Sequence, residues 1–242
     1  MQFTSITRRV SGLGSKKWLP HLQAKKLAET DPNVILLTIG EPDIPTSSIL
    51  IDIAEKAMRD GRTGYSNGRG EPNLLAALAS KYSRECNFEI GEENILCFPG
   101  TQTALFVSMM GLIEEGDDVL VGDPLYATYE GVIASAGGTI KRVKLKKENG
   151  FRIQANELEK SVTKKSKVLL LNNPHNPSGA VLSKQEIKDI VSVCRKHGLW
   201  IISDEVYSSL IFNKNSSNKF FSPLCIQEAF HKTIVVSSIS KS

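Results

Sequence analysis

Residues 167–207, KVLLLNNPHNPSGAVLSKQEIKDIVSVCRKHGLWIISDEVY, decide the fold. A short apolar run over 167–171 breaks into a loop carrying two prolines, and a second apolar run over 199–203 empties into Asp204 and Glu205. Between them lies a well-punctuated helix over 184–197. Ser183 and Glu186 have the spacing of a capping box, Ile187, Ile190, Val191 and Cys194 form one apolar stripe, and Gly198 stands at the stop. Strand, crossover helix and strand in this order are the unit from which parallel sheets are built.

The same alternation extends upstream and downstream. Strands are expected over 94–98, 118–122, 139–145 and 233–238, and helices over 101–114, 126–136 and 155–162. The fold class is therefore α/β, a three-layer α/β/α arrangement around a mostly parallel sheet covered on both faces. Ahead of it, Ile49, Ile53, Ala57 and Met58, then Leu74, Leu78 and Tyr82, keep helical spacing on either side of the glycine-rich turn NGRGEP. Residues 1–45 hold an amphipathic stretch over 19–27 and then VILLTIGEPDIPT, which reads as an arm, a short strand and a turn. The expected division is 1–45 and 46–242, with a polar loop over 212–221.

Composition narrows the function. With 242 residues, 40% of them hydrophobic, the chain can bury a sizeable core. The net charge is only +4, and the basic run IKRVKLKK over 140–147 alternates with Ile140, Val143 and Leu145 as a strand with one wet face does. Nucleic-acid binding is not expected. The four cysteines are far apart without a C-x-x-C pair, and the four histidines lack H-x-x-x-H spacing, so neither a zinc site nor a disulfide framework is indicated. No apolar run approaches the ~18 residues of a membrane span, and MQFTSITRRV lacks the apolar region of a secretion signal. A cytoplasmic protein without membrane contact or bound metal is expected.

The chemistry-bearing residues lie where strands end, and such ends converge on one crevice in an open α/β sheet. Lys241, in TIVVSSISKS, is an amine just past an apolar strand. Gly100, Thr101 and Gln102 sit at a strand-to-helix turn whose free amides and Thr101 hydroxyl can hold a phosphate, although a plain helix start reads the same way. The turn is neither a Walker loop nor a G-x-G-x-x-G dinucleotide site, which favours a compact phosphorylated cofactor. Asp204 is either a helix cap or the partner of a protonated ring nitrogen. Asn176, in NNPHNPSG, is either a loop residue or a donor to a phenolic oxygen, and Tyr126 is either a core residue or a flat face for a ring. An amine, an acid, an amide, an aromatic face and an anion cradle together suit pyridoxal 5'-phosphate, an electron sink for a carbanion at a substrate α-carbon.

Carrying these motifs in this order, the chain resembles the class I pyridoxal-phosphate aminotransferases of the aspartate aminotransferase superfamily, from about residue 5 to the last. The resemblance implies that 46–242 is the cofactor-binding large domain of the fold type I transferases and that 1–45 is an arm with the start of a small domain. It makes Lys241 the Schiff-base lysine and mover of the α-proton. Ser238 and the Gly100-Thr101-Gln102 turn bind phosphate, Asp204 pairs with the ring nitrogen, and Asn176 and Tyr207 donate to the ring oxygen. Tyr126 stacks on the ring, Gly40 of TIGEPD meets the substrate carboxylate, and Tyr65 of GYSNGRG reaches the phosphate of a neighbouring subunit in a homodimer. A cis peptide at Asn176–Pro177 is implied too.

The implied reaction moves an amino group from an L-amino acid to a 2-oxo acid in a ping-pong cycle within amino acid metabolism. ENGFRIQA, NNPHNPSGA and LWIISDEVYSSLIF are most similar to arginine–pyruvate transaminases, and aspartate-type substrates are the other expectation. His175 departs from the family's usual asparagine or serine, and Leu75 from its usual arginine. Two arginines of the family, one for the phosphate and one clamping the substrate carboxylate, would lie beyond Ser242. The resemblance thus implies a chain truncated after the lysine, its small C-terminal domain missing. A carbon–sulfur β-lyase on the same fold and an inactive truncated fragment are the alternatives. A cofactor-sensing regulator is disfavoured because no helix-turn-helix module precedes the arm.

Overall fold

Five strands form a single sheet: β1 (Asp118–Asp123), β2 (Thr139–Lys144), β3 (Ser166–Asn172), β4 (Trp200–Asp204) and β5 (Thr233–Val236). Their order is β2-β1-β3-β4-β5 and every neighbouring pair is parallel. The computed structural model describes residues 3–13, 15–212 and 219–241. Two compact units divide the chain, one of residues 1–20 and 99–242, the other of 21–98. Part of the polar loop expected over 212–221 lies outside the described residues.

In the first unit, side-chain alternation along the strands sorts the apolar residues into two layers. Val119, Val121, Val168, Leu170, Ile202 and Val236 face α5 (Thr101–Leu112) and α6 (Tyr129–Ser135), meeting Leu105, Met109 and Ile133. Leu120, Val143, Leu169, Leu171 and Ile201 face α7 (Ala155–Ser161) and α8 (Lys184–Lys196), meeting Leu158, Ile187, Ile190 and Cys194. Residues of the central strands are buried on both faces, which explains why they read as unbroken apolar runs; edge strand β2 lacks the single wet face expected of it, since Val143 packs into one layer and Ile140 against the other while Lys141 and Lys144 stand on opposite faces. The capping box forms as expected: Ser183 Oγ accepts from Glu186 N at 3.2 Å and Glu186 Oε2 from Ser183 N at 2.8 Å. Gly198 closes the helix at a φ of +68°, a conformation only glycine adopts without strain. The N-terminal helix α1 (Ser5–Val10) is tied to this unit by Arg9, which donates to the carbonyls of Ala134 and Ser135.

The second unit carries α3 (Ser48–Arg59) and α4 (Pro72–Cys86), the two helices expected around the glycine-rich turn. Leu75, Ala79, Cys86 and Ile90 are its buried residues. Gly70 stands at a φ of +133°, and a Cβ there would meet Cys97 Sγ at 2.8 Å, so the turn admits no larger residue. Leu75, one of the departures from the family pattern, is 4% exposed. Helix α2 (Ser15–Ala28) covers the expected amphipathic stretch.

Several expected boundaries are corrected. No strand forms over 94–98 or within 34–40: a short 3-10 turn, Glu92–Asn94, leads into irregular chain, and Ile35 and Leu37 are largely exposed. Apolar content alone does not make a strand where no ladder partner lies alongside. Helix α6 starts at Tyr129 rather than 126 because Tyr126 to Thr128 form the turn that precedes it. β5 ends at Val236, where Glu205 N takes its carbonyl at 2.8 Å and β4 has already ended. Cys97 and Cys194 are free thiols, but Cys86 and Cys225 are each disulfide-bonded, which the cysteine spacing did not indicate.

Ser183→Ala removes the cap of α8 and lowers stability by about 1 kcal/mol, read from the midpoint of chemical denaturation. An unchanged midpoint would show that the box contributes nothing.

Candidate active site

Strand parity places the first functional side chain. Asp204 shares a face with Ile202, and β3 carries Asn172 in register beside it. The Asp204 side chain ends up buried, the residue 4% exposed, at the C-terminal end of a central strand. Tyr129 Oη donates to Asp204 Oδ2 at 2.5 Å, and Val206 N approaches Oδ1 at 3.4 Å. Burial pushes the carboxyl above its ordinary range, while the bonds from Tyr129 and Val206 hold it down in part. Among the described residues no lysine, arginine or histidine pairs with it. Burial also pushes the Tyr129 phenol well up, with the Asp204 charge adding to the effect, so Tyr129 stays the donor of the pair.

The loop after β3 is fastened to the same strand end. Asn172 Nδ2 donates to the Asp204 carbonyl at 3.2 Å, and Asn172 Oδ1 accepts from Asn176 N at 2.6 Å. Asn173 N donates to the Asp204 carbonyl at 3.1 Å, and Asn173 Oδ1 accepts from Leu182 N at 2.9 Å. His175 bonds the Pro124 carbonyl and Ser178 Oγ, the latter at 2.6 Å, and burial lowers its pKa. A neutral ring serves both bonds with one nitrogen donating and the other accepting. The implied cis bond at Asn176–Pro177 is present, and Asp123–Pro124 and Asn173–Pro174 are cis as well.

These ties bring the sequence candidates together. The Asn176 side chain bonds the Tyr207 hydroxyl, whose pKa is raised by burial, then by Tyr126 and Asp204, against the lowering by Asn176. Tyr126 meets Tyr129 edge to face, the ring centroids 5.4 Å apart. Asp204, Asn176, Tyr207 and Tyr126 thus form one cluster. Tyr129, Asn172 and Asn173 complete it, and none of the three carries a signal beyond position: Tyr129 repeats Tyr126 one turn on, and the asparagine pair ends its strand.

The other candidates lie around this cluster or apart from it. Gly100 precedes α5 at a φ of +88° with no side chain capping the helix, and Thr103 Oγ1 turns back to the Pro99 carbonyl at 3.1 Å. The first-turn amides of α5 at Thr101 and Gln102 therefore have no intrahelical acceptor. Gln102 borders an open hollow of about 320 Å³ with Phe106 and Val132. Ser238 and Lys241 follow β5, whose Val236 is in register with Asp204. Ser238 Oγ donates to Ser240 Oγ at 2.8 Å and accepts from Ser240 N at 2.9 Å, and Lys241 is half-buried. Gly40 and Tyr65 belong to the second unit, both exposed.

The donor set fits pyridoxal phosphate. A buried carboxylate held only by neutral donors is a receptor for a cationic ring nitrogen, an amide and a phenol flank it, and an uncapped helix N-terminus suits an anion. The profile of the family described as aminotransferase class I and II matches residues 32–242. The chain belongs to that family.

Pyridoxal phosphate is the cofactor of these aminotransferases. An arginine–pyruvate transaminase of Pseudomonas aeruginosa is 34% identical over 242 residues, all of this chain and 61% of that relative. A probable aspartate/prephenate aminotransferase of Aquifex aeolicus is 35% identical over 221 residues, 91% of this chain and 55% of the relative. Among solved structures, the aspartate aminotransferase of Rhizobium meliloti superposes with a TM-score of 0.90 at 27% identity, over 100% of this chain and 60% of its own. That of Thermus thermophilus with maleate gives 0.88 at 30% identity, over 100% and 61%. The chain spans about 60% of the length of these aminotransferases.

A carboxyl whose folded pKa lies above its unfolded value binds its proton more tightly when folded. Asp204 therefore lowers stability as pH rises from the unfolded value through the folded one. Asp204→Asn raises the unfolding free energy of the cofactor-free protein at about pH 8 by on the order of 1–3 kcal/mol, and the gain vanishes below about pH 3, where both states hold the proton. An equal or lower unfolding free energy at both pH values would contradict this.

Proposed function

We propose that the complete protein is a pyridoxal-phosphate-dependent aminotransferase that moves an amino group from an L-amino acid to a 2-oxo acid. The observation that carries the reading is Asp204, an acid buried at a strand end with a phenol and an amide as its hydrogen-bond donors. When bound, the cofactor supplies a sink for the electron pair left at the substrate α-carbon. Asp204 would pair with the ring nitrogen and keep its proton, Asn176 and Tyr207 would donate to the ring oxygen, and Tyr126 would supply an aromatic face for the ring. The amides at Gly100, Thr101 and Gln102, with the Ser238 hydroxyl, hold the phosphate. Lys241 Nζ would hold the cofactor and would be the base that carries the substrate α-proton.

Arginine with pyruvate is the substrate pair supported by the Pseudomonas relative's name, and aspartate by those of the others. Resemblance alone supports Gly40 for the substrate carboxylate, Tyr65 for the phosphate of a partner subunit in a homodimer, and the division into an arm of 1–45 and a cofactor domain of 46–242. No helix among the described residues is long and apolar enough to cross a membrane. A cytoplasmic location is part of the proposal.

Borohydride treatment of the complete protein with bound pyridoxal phosphate fixes the cofactor covalently, and peptide mass analysis places it on Lys241. Lys241→Ala abolishes the label. A label retained in that variant, or found on another lysine, would overturn the assignment. Asp204→Ala lowers the rate of amino transfer by roughly two to four decades, the loss of a charge pair of about 3–5 kcal/mol. A loss of less than about tenfold would make Asp204 structural. A panel of amino donors with pyruvate and 2-oxoglutarate, scored by cofactor absorbance, identifies the substrates, with arginine and aspartate expected to respond.

A further inference from the structure

Tyr129 is 1% exposed and sits in the apolar layer with Leu105, Met109 and Ile133. Packing of that kind needs only a ring, and phenylalanine would fill it. The hydroxyl has one use in the structure, the 2.5 Å bond to Asp204 Oδ2. Its backbone is fixed as well: Tyr129 N donates to the Tyr126 carbonyl at 3.2 Å, so the two tyrosines form one turn with the rings edge to face. The other carboxylate oxygen, Oδ1, takes only the long 3.4 Å approach of Val206 N and keeps capacity for a further donor.

We propose that Tyr129 is a positioning residue for the cofactor: by donating to Asp204 Oδ2 it fixes the carboxylate's orientation and keeps it ionised, leaving Oδ1 to receive the proton-bearing ring nitrogen. This rests on the reading of the site as a pyridoxal-phosphate site. The titratable groups facing Asp204 are Tyr129 from α6, Tyr126 from the turn before it, and Tyr207 from the turn after β4. All three are phenols, which donate hydrogen bonds and carry no positive charge. With no cation among the described residues beside it, Asp204 depends on donated hydrogen bonds to stay charged in a buried place, and bonds to an ionised acceptor are the strong ones. Burial pushes the carboxyl up and Tyr129 holds it down. Losing the hydroxyl raises it further, so at the acid side the variant must release a proton before it can pair with a protonated ring nitrogen.

The test is the dissociation constant of pyridoxal phosphate, followed by absorbance across pH, for the complete protein and for Tyr129→Phe, Asp204→Asn and the double variant. In Tyr129→Phe the constant rises about tenfold near neutrality, and the acid limb of the affinity profile moves to higher pH. On the Asp204→Asn background the same substitution has no further effect, because Tyr129 acts through Asp204. Equal affinity and an unmoved limb in Tyr129→Phe would overturn the inference while leaving the site assignment intact. An equal loss on both backgrounds would overturn it too, making Tyr129 a packing residue. Melting curves of all four proteins separate a folding defect from a binding one, and Tyr129→His, which keeps a donor, restores part of the affinity if a donor is what matters. Absence of saturable cofactor binding in the unsubstituted protein would overturn the site assignment and this inference together.

Discussion

A buried carboxylate with no cation beside it among the described residues governs the site. Placing Asp204 at the end of β4 costs folding free energy, because burial disfavours its charge and its phenol and amide donors compensate only in part. A fold that served stability alone would put an amide or an apolar residue there. The surrounding design follows from tolerating that acid. Tyr129 is drawn through the apolar layer to donate to it, and Asn172 and Asn173 fasten the next strand's loop to its backbone carbonyl. Asn176 and Tyr207 are thereby set against each other at its flank.

Parallel strand geometry makes this arrangement accessible. Because side chains alternate, Ile202 and Asp204 point to the α5 and α6 face, and so do Leu170 and Asn172 one strand over. The apolar positions of a central strand thus set the direction of the polar residue that ends it. Glu205, next in sequence, leaves for other company and accepts from Ser222 Oγ at 2.6 Å. Two adjacent acids therefore have separate roles, decided by one step of the chain.

Much of this was legible in residue order. The crossover unit of β3, α8 and β4 was readable because capping, stripe and stop agree at every level, and Asp204, Asn176 and Tyr126 were singled out by standing at strand ends, with Tyr207 added by the family resemblance. Illegible features were those that depend on partners distant in sequence. Residues 94–98 look like a strand but have no ladder beside them. Tyr129 reads as a core aromatic, and only the fold shows that its hydroxyl meets an acid 75 residues away. The asparagine pair reads as a turn, although the Asn172 side chain bridges the Asp204 and Asn176 backbones and that of Asn173 accepts from Leu182 N. Gly40 and Tyr65 were legible only through family resemblance, since neither is packed or bonded in a way that discloses a role.

Asp204 as the holder of a charged ring nitrogen is open to direct measurement. Nitrogen-15 magnetic resonance of ring-labelled pyridoxal phosphate bound to the complete protein measures that proton directly. The ring nitrogen is expected to stay protonated to well above the pH at which the proton is lost from the free cofactor, and to lose this protection in Asp204→Asn. A bound ring nitrogen that titrates as it does in free solution would contradict it.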